Sequence, residues 1–261
     1  MTPHGPPPRQ GPVALHYARP ASTPALKIPI TQNPKEIAGR LAADLAQDGM
    51  VLGLGTGSTV YFTLVRLAER IRDEGLDLHG VPTSIDTEQK ASEMGLPLLG
   101  LDEVEHLDLT IDGADEIDAD FQMIKGGGGA LLREKVVASI TRRQVIVVGR
   151  DKLVERLGRS FRLPVEVVPF ALSSVARALT ALGCETYLRR DKNQSAYTTD
   201  NGCQILDCQF PDGIAAPHQL ELDIDAIPGV VESGLFIDLA HVCVIGSPDG
   251  SVEVRERPAP S

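Results

Sequence analysis

Tryptophan is absent from the 261-residue chain, and aromatic residues make up only 4% of it. The flat side chains on which single-stranded bases stack are therefore scarce, which argues against a single-strand nucleic-acid binder. Cysteine is sparse as well. Cys184, Cys203, Cys208 and Cys243 form no C-x-x-C pair, and all lie in or beside apolar stretches such as Cys203-Gln-Ile-Leu-Asp-Cys208. They read as buried, reduced thiols, which suits a cytoplasmic protein better than a disulfide framework. The six histidines are scattered, with no H-x-x-x-H pair and no Cys/His cluster, so no metal site is expected. His79 and His106 read as strand-edge and loop residues. No apolar run approaches the ~20 residues of a membrane span, so no membrane partner is expected. Positive charge is not in surplus either: the formal net charge is −11, and a phosphate backbone would be repelled. That balance still permits a local basic pocket, which a phosphorylated substrate would need.

Hydrophobic residues at 42% and charged residues at 23% allow an ordinary globular core. Residues 1–30 stand apart. Pro3, Pro6, Pro7, Pro8, Pro12, Pro20, Pro24 and Pro29 interrupt any regular element, and no acidic residue precedes Glu36. The segment reads as a disordered extension, because so many prolines would spoil the amphipathic helix of a transit peptide.

Beyond it the pattern alternates. Pro34 to Gln47 sets Ile37, Leu41, Leu45 and Ala46 on one helical face, and Ser58 to Ile71 does so with Tyr61, Leu64, Val65 and Ala68. Strand-like runs are expected at Met50–Leu54, Leu78–Val81, Leu96–Leu99, Leu109–Ile111 and Gln144–Val148. Pro97 interrupts the third of these. Helices are expected around Thr87–Met94 and Ala130–Thr141. Strands alternating with helices imply an α/β fold: an open, mostly parallel sheet with helices on both faces, Rossmann-like in outline. Later, Leu163–Pro169, Glu185–Arg189, Gln204–Gln209, Val242–Ile245 and Val252–Arg255 read as strands and Ser173–Leu182 as a helix, with turn signals at Asp200-Asn-Gly202 and Pro248-Asp-Gly250. The expectation is a main domain over residues 31–160 and about 236–261, with a small α+β subdomain at about 161–235.

Three glycine-containing clusters follow strands in the first half, where open α/β sheets bind ligands. Gly53-Leu-Gly-Thr-Gly-Ser-Thr59 runs from strand into helix and brings Thr56, Gly57, Ser58 and Thr59 to free helix-start N–H groups, an anion site or simply a tight capped turn. It lacks the glycine spacing of a dinucleotide fingerprint and the Gly-Lys-Ser/Thr of a P-loop. Ile111-Asp-Gly-Ala-Asp-Glu116 puts Asp112 and Asp115 around Gly113 and Ala114 at a strand exit. These carboxylates could share a pocket, bind a metal or merely form a turn. Asp118 and Asp120 read as solvated loop charges. Ile124-Lys-Gly-Gly-Gly-Gly-Ala-Leu-Leu-Arg-Glu134 has four consecutive glycines, costly in chain entropy and better explained by close approach of backbone to a ligand. Lys125 opens that loop, and Glu134 lies early in the next helix, either facing back into the pocket or solvated.

Together and in order, these clusters resemble the A-type ribose-5-phosphate isomerase family. The resemblance runs roughly from Lys35 to Val254. Gly55-Thr-Gly-Ser-Thr59, Asp112-Gly-Ala-Asp115, Lys125-Gly-Gly-Gly128, Arg133-Glu-Lys135 and Asp151-Lys152 carry it, with support from Leu163–Pro169, Thr199-Asp-Asn-Gly202, Ile227–Val231 and Gly246–Gly250. It implies cofactor-free interconversion of ribose 5-phosphate and ribulose 5-phosphate, and a homodimer or homotetramer. By the same resemblance, Thr56–Thr59, Asp112–Asp115 and Lys125, Gly126, Gly127 and Gly128 match substrate loops. Glu134 matches the proton acceptor, Lys152 a substrate contact and Lys35 a lysine that approaches the phosphate. Gly129 departs from the family, standing where alanine is common, and Pro82-Thr-Ser-Ile-Asp86 replaces a more serine-rich run. Two alternatives share part of the pattern: an amino-sugar phosphate deaminase or coenzyme A transferase on the same fold, and a non-catalytic sugar-phosphate sensor. A sensor of that kind usually has a helix-turn-helix ahead of it, which residues 1–30 are too proline-rich to form.

Overall fold

The computed structural model describes residues 33–258, so the reading of residues 1–30 lies outside it. The described chain runs α1 (Pro34–Ala43), β1 (Val51–Leu54), α2 (Val60–Glu74), β2 (His79–Pro82), α3 (Ile85–Glu93), β3 (Leu109–Asp112), β4 (Glu116–Ile117), β5 (Met123–Ile124), α4 (Leu131–Ser139) and β6 (Gln144–Gly149). It continues with β7 (Leu163–Val167), α5 (Leu172–Ala181), β8 (Glu185–Leu188), β9 (Gln204–Gln209), α6 (Pro217–Asp225), β10 (Val230–Ser233), β11 (Leu235–Phe236), β12 (Val242–Gly246) and β13 (Val252–Glu256). Six strands form the main sheet in the order β13-β12-β6-β3-β1-β2. All its neighbours pair in parallel except the terminal β13, which is antiparallel to β12.

Alternation along the central strands shows why both faces must be covered. Val145 and Val147 of β6, with Val242 and Val244 of β12, join a core shared with Ala38 and Ala42 of α1 and Leu64 and Leu67 of α2. The intervening Ile146, Val148, Cys243 and Ile245 face a second core containing Leu131 of α4, Met123 of β5 and Phe236 of β11. A second, antiparallel sheet, ordered β10-β7-β9-β8, packs with α5 and α6 around Val165, Val175, Leu179, Leu206 and Ile224. A small third sheet, β11-β5-β4, joins the chain segments on either side of it.

Some local expectations change. Tyr61 is 42% exposed, and the buried stripe of α2 is Val60, Thr63, Leu64 and Leu67. Tyr61 lies roughly 100° round the helix from Val60, off the stripe that faces the core. Leu96–Leu99 forms only an isolated bridge to Gly80, because Pro97 has no N–H to continue a ladder. Asp118 is not simply solvated: its carboxylate accepts the N–H groups of Asp120 and Gln122 and so builds the turn between β4 and β5. Helix α6 and the short β4, β5, β10 and β11 have no counterpart in the periodicity reading. The cysteines are free thiols, with Cys184, Cys208 and Cys243 buried. No helix among the described residues is long and apolar enough to cross a membrane.

Candidate active site

The three glycine-containing loops meet at the carboxyl ends of β1, β3 and β6, around a cavity of about 210 Å³. Its lining includes Thr56, Gly57, Ser58 and Thr59 from the first loop, Gly113, Ala114 and Asp115 from the second, and Lys125, Gly126, Gly127 and Gly128 from the third. Glu134, Lys152 and Lys35 complete the set expected from the sequence. Asp112 alone of that set does not line the cavity. Its side chain is fully buried behind Lys125.

Glycine at position 55 makes this arrangement possible. A Cβ there would fall 2.2 Å from the Asp112 carboxylate and 2.6 Å from its Cα, so any side chain would expel Asp112 from its seat. Asp112 Oδ1 instead accepts the N–H groups of Thr56 (3.1 Å) and Gly113 (2.7 Å), tying the first two loops together. Its Oδ2 lies 3.0 Å from Lys125 Nζ. The ammonium also reaches Glu134 Oε1 at 3.2 Å and donates to the carbonyl of Gly113. Lys125 and Glu134 are 2% and 5% exposed, so this cluster operates almost without water.

Two carboxylates and one ammonium in such a place cannot all be neutralised. Burial pushes the Glu134 carboxyl up to about 8; Lys125 opposes the rise and the charge of Asp112 adds to it. Burial works against the Lys125 ammonium, but Asp112 and Glu134 outweigh it and hold it above the ordinary lysine range. Glu134 Oε2 is buried and has no hydrogen-bond partner. A carboxylate with one oxygen held and the other unpartnered beside a cavity, and a proton affinity near neutrality, is suited to taking and returning a proton. Burial likewise raises Asp115, which accepts the Gly127 N–H at 2.7 Å.

The cations are graded by depth. Lys35 is exposed and donates to Ser58 Oγ at 2.9 Å, and Lys152 is 36% exposed, whereas Lys125 is sealed at the inner end. Thr59 takes the N-cap of α2 without spending its hydroxyl on the helix's own amides. The rim thus offers two lysines, two hydroxyls and a helix start to an anion. Thr56 turns its hydroxyl the other way, into a cluster with Thr83, Ser84 and Thr87 at 2.9, 2.8 and 3.2 Å. Their part in the site, like that of Arg189 and Tyr197 behind the glycine loop, went unrecognised in the sequence. For Arg189 and Tyr197 the only signal was indirect: a run of bare peptides needs donors for its carbonyls.

A cavity with a buried carboxyl of raised proton affinity at its inner end and lysines at its rim, set where parallel strands end, is built for acid–base chemistry beside a small anion on an open α/β fold. Comparison with known proteins narrows this. The family profile for Ribose 5-phosphate isomerase A (phosphoriboisomerase A) matches residues 79–250. Ribose-5-phosphate isomerase A of Bacillus mycoides (strain KBAB4) is 48% identical over 221 residues, covering 85% of this chain and 99% of the relative. The structure of ribose 5-phosphate isomerase A from Methanocaldococcus jannaschii superposes with a TM-score of 0.81 at 39% identity, covering 85% of this chain and 97% of that one. A D-ribose-5-phosphate isomerase solved in complex with phospho-erythronic acid gives 0.82 at 36% identity, covering the same shares. The chain belongs to the ribose 5-phosphate isomerase A family.

Proposed function

We propose that this chain interconverts D-ribose 5-phosphate and D-ribulose 5-phosphate, with Glu134 moving the proton between C2 and C1. The observation that carries the reading is Glu134 itself: buried beside the cavity, one oxygen held by Lys125, the other unpartnered, and its carboxyl raised to about 8. Isomerisation removes the C2 proton of the open-chain aldose, α to its carbonyl. The electron pair forms a C1–C2 double bond and charge collects on the C1 oxygen. The enediolate then recovers a proton at C1, from the same carboxyl and on the same face, while the proton of the C2 hydroxyl passes to the C1 oxygen, leaving a ketone at C2 and a hydroxyl at C1.

Each remaining residue has a task that its position suits. Ser58, Thr59, Lys35 and Lys152 hold the phosphate at the rim, so that its binding orients the reacting carbons toward Glu134. Lys125 stabilises the developing oxyanion. Asp115, raised by burial and lining the cavity, opens the furanose ring and moves hydroxyl protons. Asp112 acts through Lys125 and the two loops that it ties together. The phospho-erythronic acid in the related structure is a phosphorylated four-carbon acid, and it supports a phosphosugar-sized ligand for this cavity too. A cytoplasmic homodimer or homotetramer, with about residues 161–235 as a subdomain, completes the reading.

The test is conversion of ribose 5-phosphate by the purified protein in the presence of EDTA, with Glu134→Gln alongside. The variant should lose at least about a hundredfold in kcat while still binding substrate, in line with the ~10²–10⁴ of general acid–base catalysis. Near-normal turnover in the variant would remove Glu134 from the base role. An inactive but folded wild type would overturn the isomerase reading.

A further inference from the structure

The glycine loop is bare of side chains, so its shape must be set from outside. Arg189, just beyond β8 in the antiparallel sheet, reaches across to it. Its Nη1 donates to the carbonyls of Gly126 at 2.8 Å and Gly127 at 3.2 Å. Its other edge is locked by Asp207 of β9: Nε donates to Oδ2 at 3.0 Å and Nη2 to Oδ1. Both side chains are largely buried, at 14% and 18% exposure. Tyr197 continues the row, its hydroxyl donating to the carbonyl of Gly128 at 3.3 Å while its ring lies 6.0 Å from the guanidinium. Three consecutive carbonyls of the loop are therefore claimed by one small patch of the second sheet.

The peptides concerned are trans, so each N–H points opposite to the carbonyl of its own peptide unit. The unit whose carbonyl Arg189 takes at Gly126 carries the Gly127 N–H, and that N–H donates to Asp115 Oδ2 at 2.7 Å. A cation bound to a carbonyl oxygen draws electron density through the amide and makes its N–H a stronger donor. The guanidinium thus communicates with a carboxylate it does not touch, and its charge also helps to pull the Asp115 proton affinity back against burial.

We infer that Arg189, locked by Asp207, is a positioning residue for the reaction: it fixes the glycine loop and, through the Gly126–Gly127 peptide, sets the donor held against Asp115. The inference deepens the isomerase reading and rests on it for its kinetic consequence, though its structural half can be measured alone.

The test pairs kinetics with the amide signal. In Arg189→Gln/Asp207→Asn two amides replace the ion pair, so no carboxylate is stranded. The expected result is a kcat for ribose 5-phosphate lower by about tenfold or more, with KM within about threefold, and the Gly127 amide proton of ¹⁵N-glycine-labelled protein moved upfield. Arg189→Lys, which keeps the charge but not the fork, should recover part of the loss. A kcat within about threefold of wild type, or a fall in kcat with the Gly127 amide unmoved, overturns the inference. Should the pair variant fail to fold, Asp207→Asn alone is measured in the same way and must move both readouts in the same directions. Should wild type lack isomerase activity, the functional reading falls, and the amide shift alone decides whether Arg189 governs the loop.

Discussion

Replacing Lys125 by methionine keeps most of the apolar stem of the side chain and removes the ammonium, with its charge and its donors. The ammonium sits 3.0 Å from Asp112 and 3.2 Å from Glu134 at 2% exposure, so its loss leaves two carboxylates together in a dry site. Breaking a buried ion pair in this way costs about 3–5 kcal/mol unless one partner takes up a proton. Glu134 is the partner that will, since burial already holds it at about 8. Burial thus favours its protonated form, and each further unit of rise cuts the competent fraction about tenfold. The oxyanion also loses its cation, a loss of about 10²–10³ in kcat for a single donor. Lys125→Met should therefore fall by at least about a hundredfold in kcat. The sign of the pH dependence follows from Glu134 acting as a deprotonated base: wild-type kcat/KM rises as pH climbs through about 8, and in the variant the rise moves to higher pH. Initial rates of ribulose 5-phosphate formation across that range, with folding followed by circular dichroism, provide the measurement. A folded variant with kcat within tenfold of wild type and an unmoved pH limb would refute the reasoning about this cluster.

Three further outcomes are expected. Glu116 is buried and accepts the N–H groups of Gly158, Ser160 and Phe161 at 2.6, 2.8 and 2.7 Å, so Glu116→Gln should lose about 1.5–3 kcal/mol, read as a lower Tm, with kcat little changed below the melt. Gly129 has φ +83° and a Cβ there would meet the Tyr197 hydroxyl at 2.3 Å, so Gly129→Ala should cost about 1–2 kcal/mol in a denaturant melt. Lys35→Met removes a rim cation and should raise KM by about threefold or more with kcat nearly kept, a split that steady-state kinetics resolves directly.

The main sheet was legible because its strands announce themselves. Gln144–Val148 and Val242–Ile245 are short apolar runs flanked by turn signals, and both are buried on two faces. Strands β4 and β5, two residues each, were not legible, since nothing local distinguishes Glu116–Ile117 from a turn; they exist because Asp118 folds the chain back between them. Tyr61 was misplaced because the apolar residues of α2 fit two neighbouring stripes, and packing selects the one through Val60, Leu64 and Leu67. At the site, Lys125 stood out by the company of the glycine run and Asp115 by its strand exit, whereas Glu134, read alone, stayed open between pocket and solvent and took its role from the family resemblance. What sequence could not supply was depth: Asp112 and Asp115 are three residues apart and look alike, yet one is sealed behind a lysine and the other faces the cavity. Arg189 was hidden for a different reason, as its partners lie some sixty residues away and are backbone carbonyls, which leave no mark in composition.

The surroundings of Lys125 have a consequence for timing. An ammonium group has three hydrogens, and here two acceptors take hydrogen bonds from it, the Gly113 carbonyl and Glu134, while Asp112 Oδ2 faces it at 3.0 Å as an opposite charge. At rest, most of its donor capacity is spent on the protein. Glu134 is the most distant of the three, and it is also the one whose charge disappears when it accepts a proton. In the proposed mechanism only the ionised form of Glu134 holds Lys125 by charge, and when that carboxylate takes a proton its hold weakens and a further N–H comes free, as negative charge appears on the substrate oxygen. On that reading one carboxylate is the latch on the electrophile, and proton abstraction and charge stabilisation are linked in a single event.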